Sequence, residues 1–280
     1  MIACDFDYYL PDTWQEAVDI YKTVQAEGKT PLYYGGGTEI ISMARVHNVK
    51  PDAVIDIKKI PECRCMGTDG VRLLFGSALT LSTLFDGGLY PLLSQASARI
   101  ADHTVQCKLT LGGNLAGTIH YHETLLPLLL ADSTVCIAGP QGLREAPVIN
   151  VFGMGKKLPP GDLIIKLSLD KSFAALPYAH IKKPKIEKIG YPLVSLAALD
   201  MGGTLRLAAS GLCPFPFIFE DIPINNGQPA LDIARQLLDG LPAPILSDLE
   251  GTAAYRQFIF EKTVEKIIME FRNNRGQTDA

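Results

Sequence analysis

Two glycine-rich segments constrain this chain more than anything else in it: Y-Y-G-G-G-T-E-I at residues 33–40 and T-L-G-G-N-L-A-G-T at residues 110–118. Each follows an apolar stretch and places consecutive glycines where a β-strand is expected to end. Glycine has no Cβ, so its backbone reaches positive φ and lets a ligand approach the main-chain N–H groups. A bend lined by such groups is a concave anion site suited to phosphate. Two of them read as a clamp on a diphosphate, and so on a dinucleotide. The usual nucleotide fingerprints are missing: no G-x-G-x-x-G opens a helix, and no G-x-x-x-x-G-K-[ST] occurs. The residues alone allow a diphosphate without naming its bearer.

The amino-terminal segment reads β-α-β. A strand is expected at 5–10, then a helix begun by Asp12 and Thr13, with Ala17, Val18, Tyr21 and Val24 at helical spacing and Gly28 at its end. A strand at 31–34 delivers the first glycine turn. Further strands are expected at 54–57, 72–76, 134–138 and 163–168, and helices at 81–85, 91–101 and 125–131. From about residue 174 the pattern changes to alternating strands at 178–182, 193–201 and 204–209. Helices at 230–238 and 253–272 follow, the last with Phe258, Ile259, Val264, Ile267, Ile268 and Phe271 on one broad face, then a frayed tail from 273. The fold class is α+β. A two-lobed domain is expected over 1–170, with lobes at about 1–57 and 58–170, and a small carboxy-terminal domain of antiparallel sheet and helices over 171–280.

Among 280 residues, 26 basic side chains face 30 acidic ones, a formal charge of −4. That balance argues against nucleic acid or an anionic membrane as the main partner. The start lacks a basic leader region, and the densest apolar run, 125–131, is far shorter than the roughly 20 residues that span a bilayer, so a cytoplasmic location is expected. Six scattered cysteines read as reduced thiols, without the grouped four that an iron–sulfur cluster needs. His120, His122 and Glu123 lack the spaced third and fourth ligands of a metal centre.

G-G-G-T-E at 35–39 resembles the A-G-G-T-[DE] element of the FAD-binding medium subunit of molybdenum hydroxylases, the xanthine dehydrogenase and carbon monoxide dehydrogenase flavoprotein family. T-L-G-G-N-L-A at 110–116 resembles that family's T-I-G-G-N-[IL]-A. P-D-A-V-I-D-I (51–57), L-P-P-G-D-L-I (158–164), G-Y-P-L-V-S-L-A-A-L (190–199) and A-Y-R-Q-F (254–258) match in the same order, so the resemblance spans nearly the whole chain.

The resemblance implies FAD, with its diphosphate on the amides of Gly36, Gly37, Gly112, Gly113 and Asn114 and on the hydroxyls of Thr38 and Thr110. Tyr33, Tyr34, Gly35, Glu39 and Ile40 complete the first segment, and Ile100, Leu163 and Ile164 are implied as apolar contacts to the ring system. Glu123 stands where relatives place an aspartate that contacts the nucleotide part of FAD. The surrounding I-H-Y-H-E-T (119–124) departs from the family, and an exposed helix-cap acid is the other reading of Glu123. Lys182 matches a lysine near the isoalloxazine, where a cation stabilises charge gathered on reduction. The run K-K-P-K at 182–185 reads equally as a solvated basic hairpin.

No catalytic residue of the chain's own is implied. The chain resembles an electron-transfer subunit of a complex that also holds a molybdopterin-binding large subunit and a [2Fe–2S] small subunit, with NAD+ or another carrier as acceptor. Purines are the favoured substrate by general resemblance. A different two-lobed FAD reductase and a flavin-free scaffold subunit are the alternatives.

Overall fold

Three sheets organise the chain in a computed structural model, which describes residues 4–119, 121–185 and 190–276. The first is parallel. Strand β1 (Asp7–Tyr9) leads through helix α1 (Trp14–Ala26) to β2 (Pro31–Tyr34), and β2 leads through α2 (Thr38–Arg45) to β3 (Ala53–Asp56), with spatial order β1-β3-β2. Thr13 caps α1 by accepting from the Glu16 amide, and Gly28, at φ +76°, ends it.

The second sheet is antiparallel, in the order β4-β5-β8-β6-β7: β4 (Met66–Thr68), β5 (Arg72–Gly76), β6 (Thr134–Gly139), β7 (Gly142–Pro147) and β8 (Leu163–Asp170). Between β5 and β6 run α3 (Leu81–Gly87), α4 (Pro91–Ser97), α5 (His103–Gln106), α6 (Leu111–Ala116) and α7 (Leu125–Leu130); α8 (Val148–Phe152) precedes β8. The expected helix over 91–101 stops early. Ala101 takes φ +54°, and the Gln106 side-chain amide donates to the carbonyls of Ala98, Ile100 and Ala101.

The third sheet, β12-β11-β10-β9, is antiparallel: β9 (Tyr178–Pro184), β10 (Pro192–Asp200), β11 (Thr204–Ser210) and β12 (Phe217–Pro223). Helices α9 (Ala230–Asp239) and α10 (Ala253–Gly276) follow. Sequence pattern missed β12 because prolines bracket it; as an edge strand it tolerates them. The α10 face also differs from expectation. Phe260 is buried and Phe258 half exposed, and the helix runs through residue 273, where a frayed tail was expected. The rest of that tail, 277–280, lies outside the described residues.

The layers share strands rather than merely touching. Leu163 and Ile165 of β8 pack with Ala17 and Val18 of α1, while Ile164, Leu167 and Leu169 face the helices on the other side. A bulge between β6 and β8 re-phases the alternation that would otherwise separate Ile164 from Leu167. Every residue of α7 is buried. A helix apolar all round must be covered on every side, and α7 lies between α4, α8 and the third sheet. That sheet turns Ala197, Leu199 and Ala208 toward this core, and Val194, Leu196 and Leu207 toward α9 and α10.

Arg256, in the A-Y-R-Q-F motif, is fully buried and ties α10 to the third sheet. It donates to the carbonyls of Leu193 (2.6 Å) and Gly211 (2.7 Å) and to both carboxylate oxygens of Asp248 (2.7 and 2.9 Å). Burial alone would push Asp248 up, but Arg256 and the amides of Glu250 and Gly251 hold it below the usual carboxylate range. Removing one partner of such a buried pair strands the others, at a cost of about 2–4 kcal/mol with Asp248 partly in water. Arg256→Met is expected to lower the urea midpoint accordingly; an unchanged midpoint would show that the cluster contributes nothing.

Candidate functional site

The first glycine turn is held from beneath by charge. Asp56, at the end of β3, is buried and accepts from the Tyr8 hydroxyl (2.7 Å), the Lys58 amide (3.0 Å) and the Lys58 ammonium (2.7 Å). That hydrogen bond to Asp56, with burial, pushes the Tyr8 phenol up to about 12. Lys58 also donates to the Gly35 carbonyl (2.8 Å) and stands 4.5 Å above the Tyr34 ring. Gly37 caps α2 at φ +69°, and any Cβ there would overlap that same Tyr34 ring. No side chain caps α2, and among the described residues nothing accepts from the amides of Gly36, Gly37 or Thr38. Free donors at the positive end of a helix are what an anion site requires.

The second segment is not the end of a strand, as expected from sequence, but the start of α6. Thr110 caps it, accepting from the Gly113 amide (3.2 Å) through Oγ1 and from the Asn114 amide (2.9 Å) through its carbonyl; the Gly112 amide donates to Ser77 (2.8 Å). Those three amides, which the sequence reading aimed at a ligand, are thus engaged inside the protein. What the glycines supply here is space. A Cβ on Gly112 would lie 2.8 Å from that of Ser77, whereas Gly113 is exposed and would meet only Thr110 Oγ1, at 2.9 Å.

The two turns are in contact. A Cβ on Gly35 would stand 2.6 Å from Thr110 Oγ1, and one on Gly36 would overlap the Lys108 carbonyl oxygen. Glu39 of α2 accepts from both the amide (2.8 Å) and the hydroxyl (2.6 Å) of Thr118. Through Thr110, whose Oγ1 neighbours both Gly35 and Gly113, the first turn with its open amides and the exposed Gly113 are brought close together.

Asn114 continues the site inward. Its side-chain oxygen accepts from the Thr124 amide (3.2 Å) and hydroxyl (2.6 Å), and its carbonyl accepts from His122 Nδ1 (2.6 Å). This fixes the turn that carries Glu123. Neither the exposed-cap reading of Glu123 nor the solvated-hairpin reading of Lys182 fits the structure. The two side chains are each 6% exposed and pair at 3.0 Å, and Lys182 also donates to the Arg99 carbonyl (2.9 Å). Burial pushes the Glu123 carboxyl up, against the pull of Lys182 and Ser195. Its Oε1 is buried with no hydrogen-bond partner, an orphan acceptor in want of a donor.

Behind Lys182, Arg99 donates to the carbonyl of His180 and lies 3.1 Å from its Nδ1. A guanidinium only donates, so Nδ1 is bare and the ring proton sits on Nε2, facing Ser195 Oγ at 3.5 Å. Burial, then Arg99 and Lys182, lower His180 to about 3, so the ring is neutral and the cluster keeps an excess positive charge.

The remaining predicted residues are placed as follows. Tyr33 points away from its turn, stacking on Tyr21 at 4.9 Å and donating to the Gly161 carbonyl (3.1 Å). Thr38 and Ile40 lie in the first turn of α2. Ile100 and Ile164 fill one core and Leu163 another, so the side chains of Leu163 and Ile164 face opposite ways. His120 lies outside the described residues. Among those described, no three His, Cys, Asp or Glu side chains are grouped to hold a metal, and no helix is long and apolar enough to cross a membrane. Sequence reasoning missed Lys58, Arg99 and His180; only Lys58, two residues beyond a buried strand-end carboxylate, left a local signal.

Because the unfolded chain protonates His180 near pH 6.5 and the folded one only near 3, stability falls as pH drops through that window and is unaffected by this group above it. Between pH 6.5 and 5 the loss is about 2 kcal/mol. Urea titrations at pH 7 and 5 should show a smaller pH difference for His180→Gln than for the parent; equal differences would contradict the buried neutral imidazole.

Comparison with known proteins identifies a family and a fold. Residues 4–170 match the family described as the FAD binding domain in molybdopterin dehydrogenase. The chain is 25% identical to the carbon monoxide dehydrogenase medium chain of Afipia carboxidovorans over 273 residues, 91% of this chain and 93% of that one. It is 24% identical to the xanthine dehydrogenase FAD-binding subunit of Escherichia coli O157:H7 over 290 residues, 94% of each. Among solved structures, carbon monoxide dehydrogenase from Hydrogenophaga pseudoflava, in a form lacking the Mo-pyranopterin moiety, shares the fold with TM-score 0.84 at 21% identity, covering 95% of this chain and 96% of that one. With residues 4–170, more than half of its length, matching that family, this chain belongs to the FAD-binding domain family of the molybdopterin dehydrogenases.

Proposed function

We propose that this chain is the electron-transfer subunit of a molybdenum hydroxylase complex, with residues 1–170 holding FAD and residues 171–280 completing the site. Electrons arrive from a [2Fe–2S] small subunit, the substrate is oxidised on a molybdopterin-binding large subunit, and NAD+ or another carrier is the acceptor. Bound FAD supplies the exchange between one-electron and two-electron transfer. The observation that carries the reading is the contact of two glycine turns around free amides.

In this reading the amides of Gly36, Gly37 and Thr38 bind the diphosphate, and the α2 dipole favours its charge. Lys58 keeps the turn in place from below. Glu123 Oε1 accepts a hydrogen bond from a donor of the cofactor, which satisfies the buried orphan. Lys182 and Arg99, offset by one carboxylate, would supply a positive field favouring electron gain by a bound flavin. The complex works in the cytoplasm, and a purine such as xanthine is the favoured substrate. Similarity to carbon monoxide dehydrogenase medium chains is as great as to the xanthine dehydrogenase subunit. That parity fits a substrate bound by the partner rather than by this chain.

Gly113→Val tests the cradle, because Gly113 is exposed and the added Cβ meets only the Thr110 hydroxyl, at 2.9 Å, rather than the core. The parent is expected to purify yellow with one flavin per chain. The variant should keep its fold by circular dichroism and carry less than about a tenth of that flavin. A folded variant with full flavin would remove Gly113 from the site.

A further inference from the structure

Glycine turns give a diphosphate its donors only if they stay at a fixed separation, and the structure shows one side chain bridging them. Glu39 sits in the first turn of α2, beside the free amides, yet its carboxylate reaches across to the end of the second segment. There Oε1 accepts from the Thr118 amide and hydroxyl, at 2.8 and 2.6 Å. The approach depends on Gly117: a Cβ there would lie 2.7 Å from Glu39 Oε2 and 3.1 Å from the Gly113 carbonyl. The G-T pair closing T-L-G-G-N-L-A-G-T is thereby accounted for, since glycine makes room for a carboxylate and threonine supplies two donors to it.

We propose that Glu39 is a positioning residue for FAD, a clasp that sets the spacing of the two turns without touching the cofactor through its carboxylate. A carboxylate so near an anion site would repel phosphate if left free. Engaged by two donors, its charge is directed away from the α2 amides, and the same bonds hold α2 against the second turn. Hydrogen bonds to a charged acceptor are the stronger kind, so the clasp is robust even at the partly exposed edge where it lies.

The proposal rests on the FAD reading, and the test separates the two. Apo full-length chain is titrated with FAD, following flavin fluorescence, and the thermal midpoint of each apo protein is measured alongside. Glu39→Ala and Thr118→Val are each expected to weaken FAD by about tenfold, the size of one charge-assisted hydrogen bond. Apo thermal midpoints should fall by only a few degrees, leaving each variant folded during the titration, and the double variant should be no weaker than either single one, because both remove the same link. Glu39→Gln, which keeps an acceptor for the Thr118 donors, should recover most of the affinity. Parent-like affinity in Glu39→Ala, or independent effects that multiply in the double variant, would overturn the clasp. A parent chain that does not bind FAD would overturn the cofactor reading itself, and the clasp with it.

Discussion

One backbone contact underlies the site: the Lys108 carbonyl occupies the space in which any side chain on Gly36 would stand. Main chain meets main chain there, and the Thr110 hydroxyl does the same to Gly35. Because that approach is possible only without a Cβ, the glycines do two jobs in different places. Gly35, Gly36 and Gly112 let segments of the protein pack on one another. Gly37 reaches a left-handed φ to start α2, and Gly113 leaves surface open. Among the described residues, the glycine-segment amides left free belong to the first turn, so the proposed cradle is asymmetric, with amides on one side and clearance on the other.

Charge raises an apparent conflict, since a chain of formal charge −4 is asked to hold a diphosphate. Distance resolves it. Exposed charges beyond roughly 8–10 Å are largely screened at physiological ionic strength. Each free amide that meets a phosphate oxygen makes a charge-assisted bond worth about 1.5–3 kcal/mol, and the helix terminus adds about 0.3–1 kcal/mol. Local donors outweigh the distant acids, and the two nearby carboxylates, Glu39 and Asp56, are engaged by Thr118 and Lys58. The buried Lys182–Glu123 pair, with half-buried Arg99 beside it, obeys the same logic in a medium of lower dielectric, where an excess cation is felt more strongly.

Where structure follows from short-range chemistry, the sequence was legible. The Thr13 cap, the Gly28 stop, β2 running into the glycine turn, and the wholly apolar α7 were all readable from neighbouring residues. The second glycine segment was misjudged because the amides that seemed free are spent on Thr110 and Ser77, partners that only a helical start at residue 111 reveals. Glu123 and Lys182 could be read either as cofactor contacts or as surface charges, because the pairing that buries them spans 59 residues. Phe258 and Phe260 were exchanged since both sit beside the same apolar stripe, and only packing against α9 and the third sheet chooses between them. Local pattern identifies an element; which face it buries depends on distant neighbours.

The most direct test of the central claim, that the two turns form one diphosphate cradle, is a crystal structure of the full chain loaded with FAD. The account predicts diphosphate oxygens about 3 Å from the amides of Gly36, Gly37 and Thr38, with the bare face of Gly113 against the same group. A diphosphate bound elsewhere, with those amides facing only water, would contradict it.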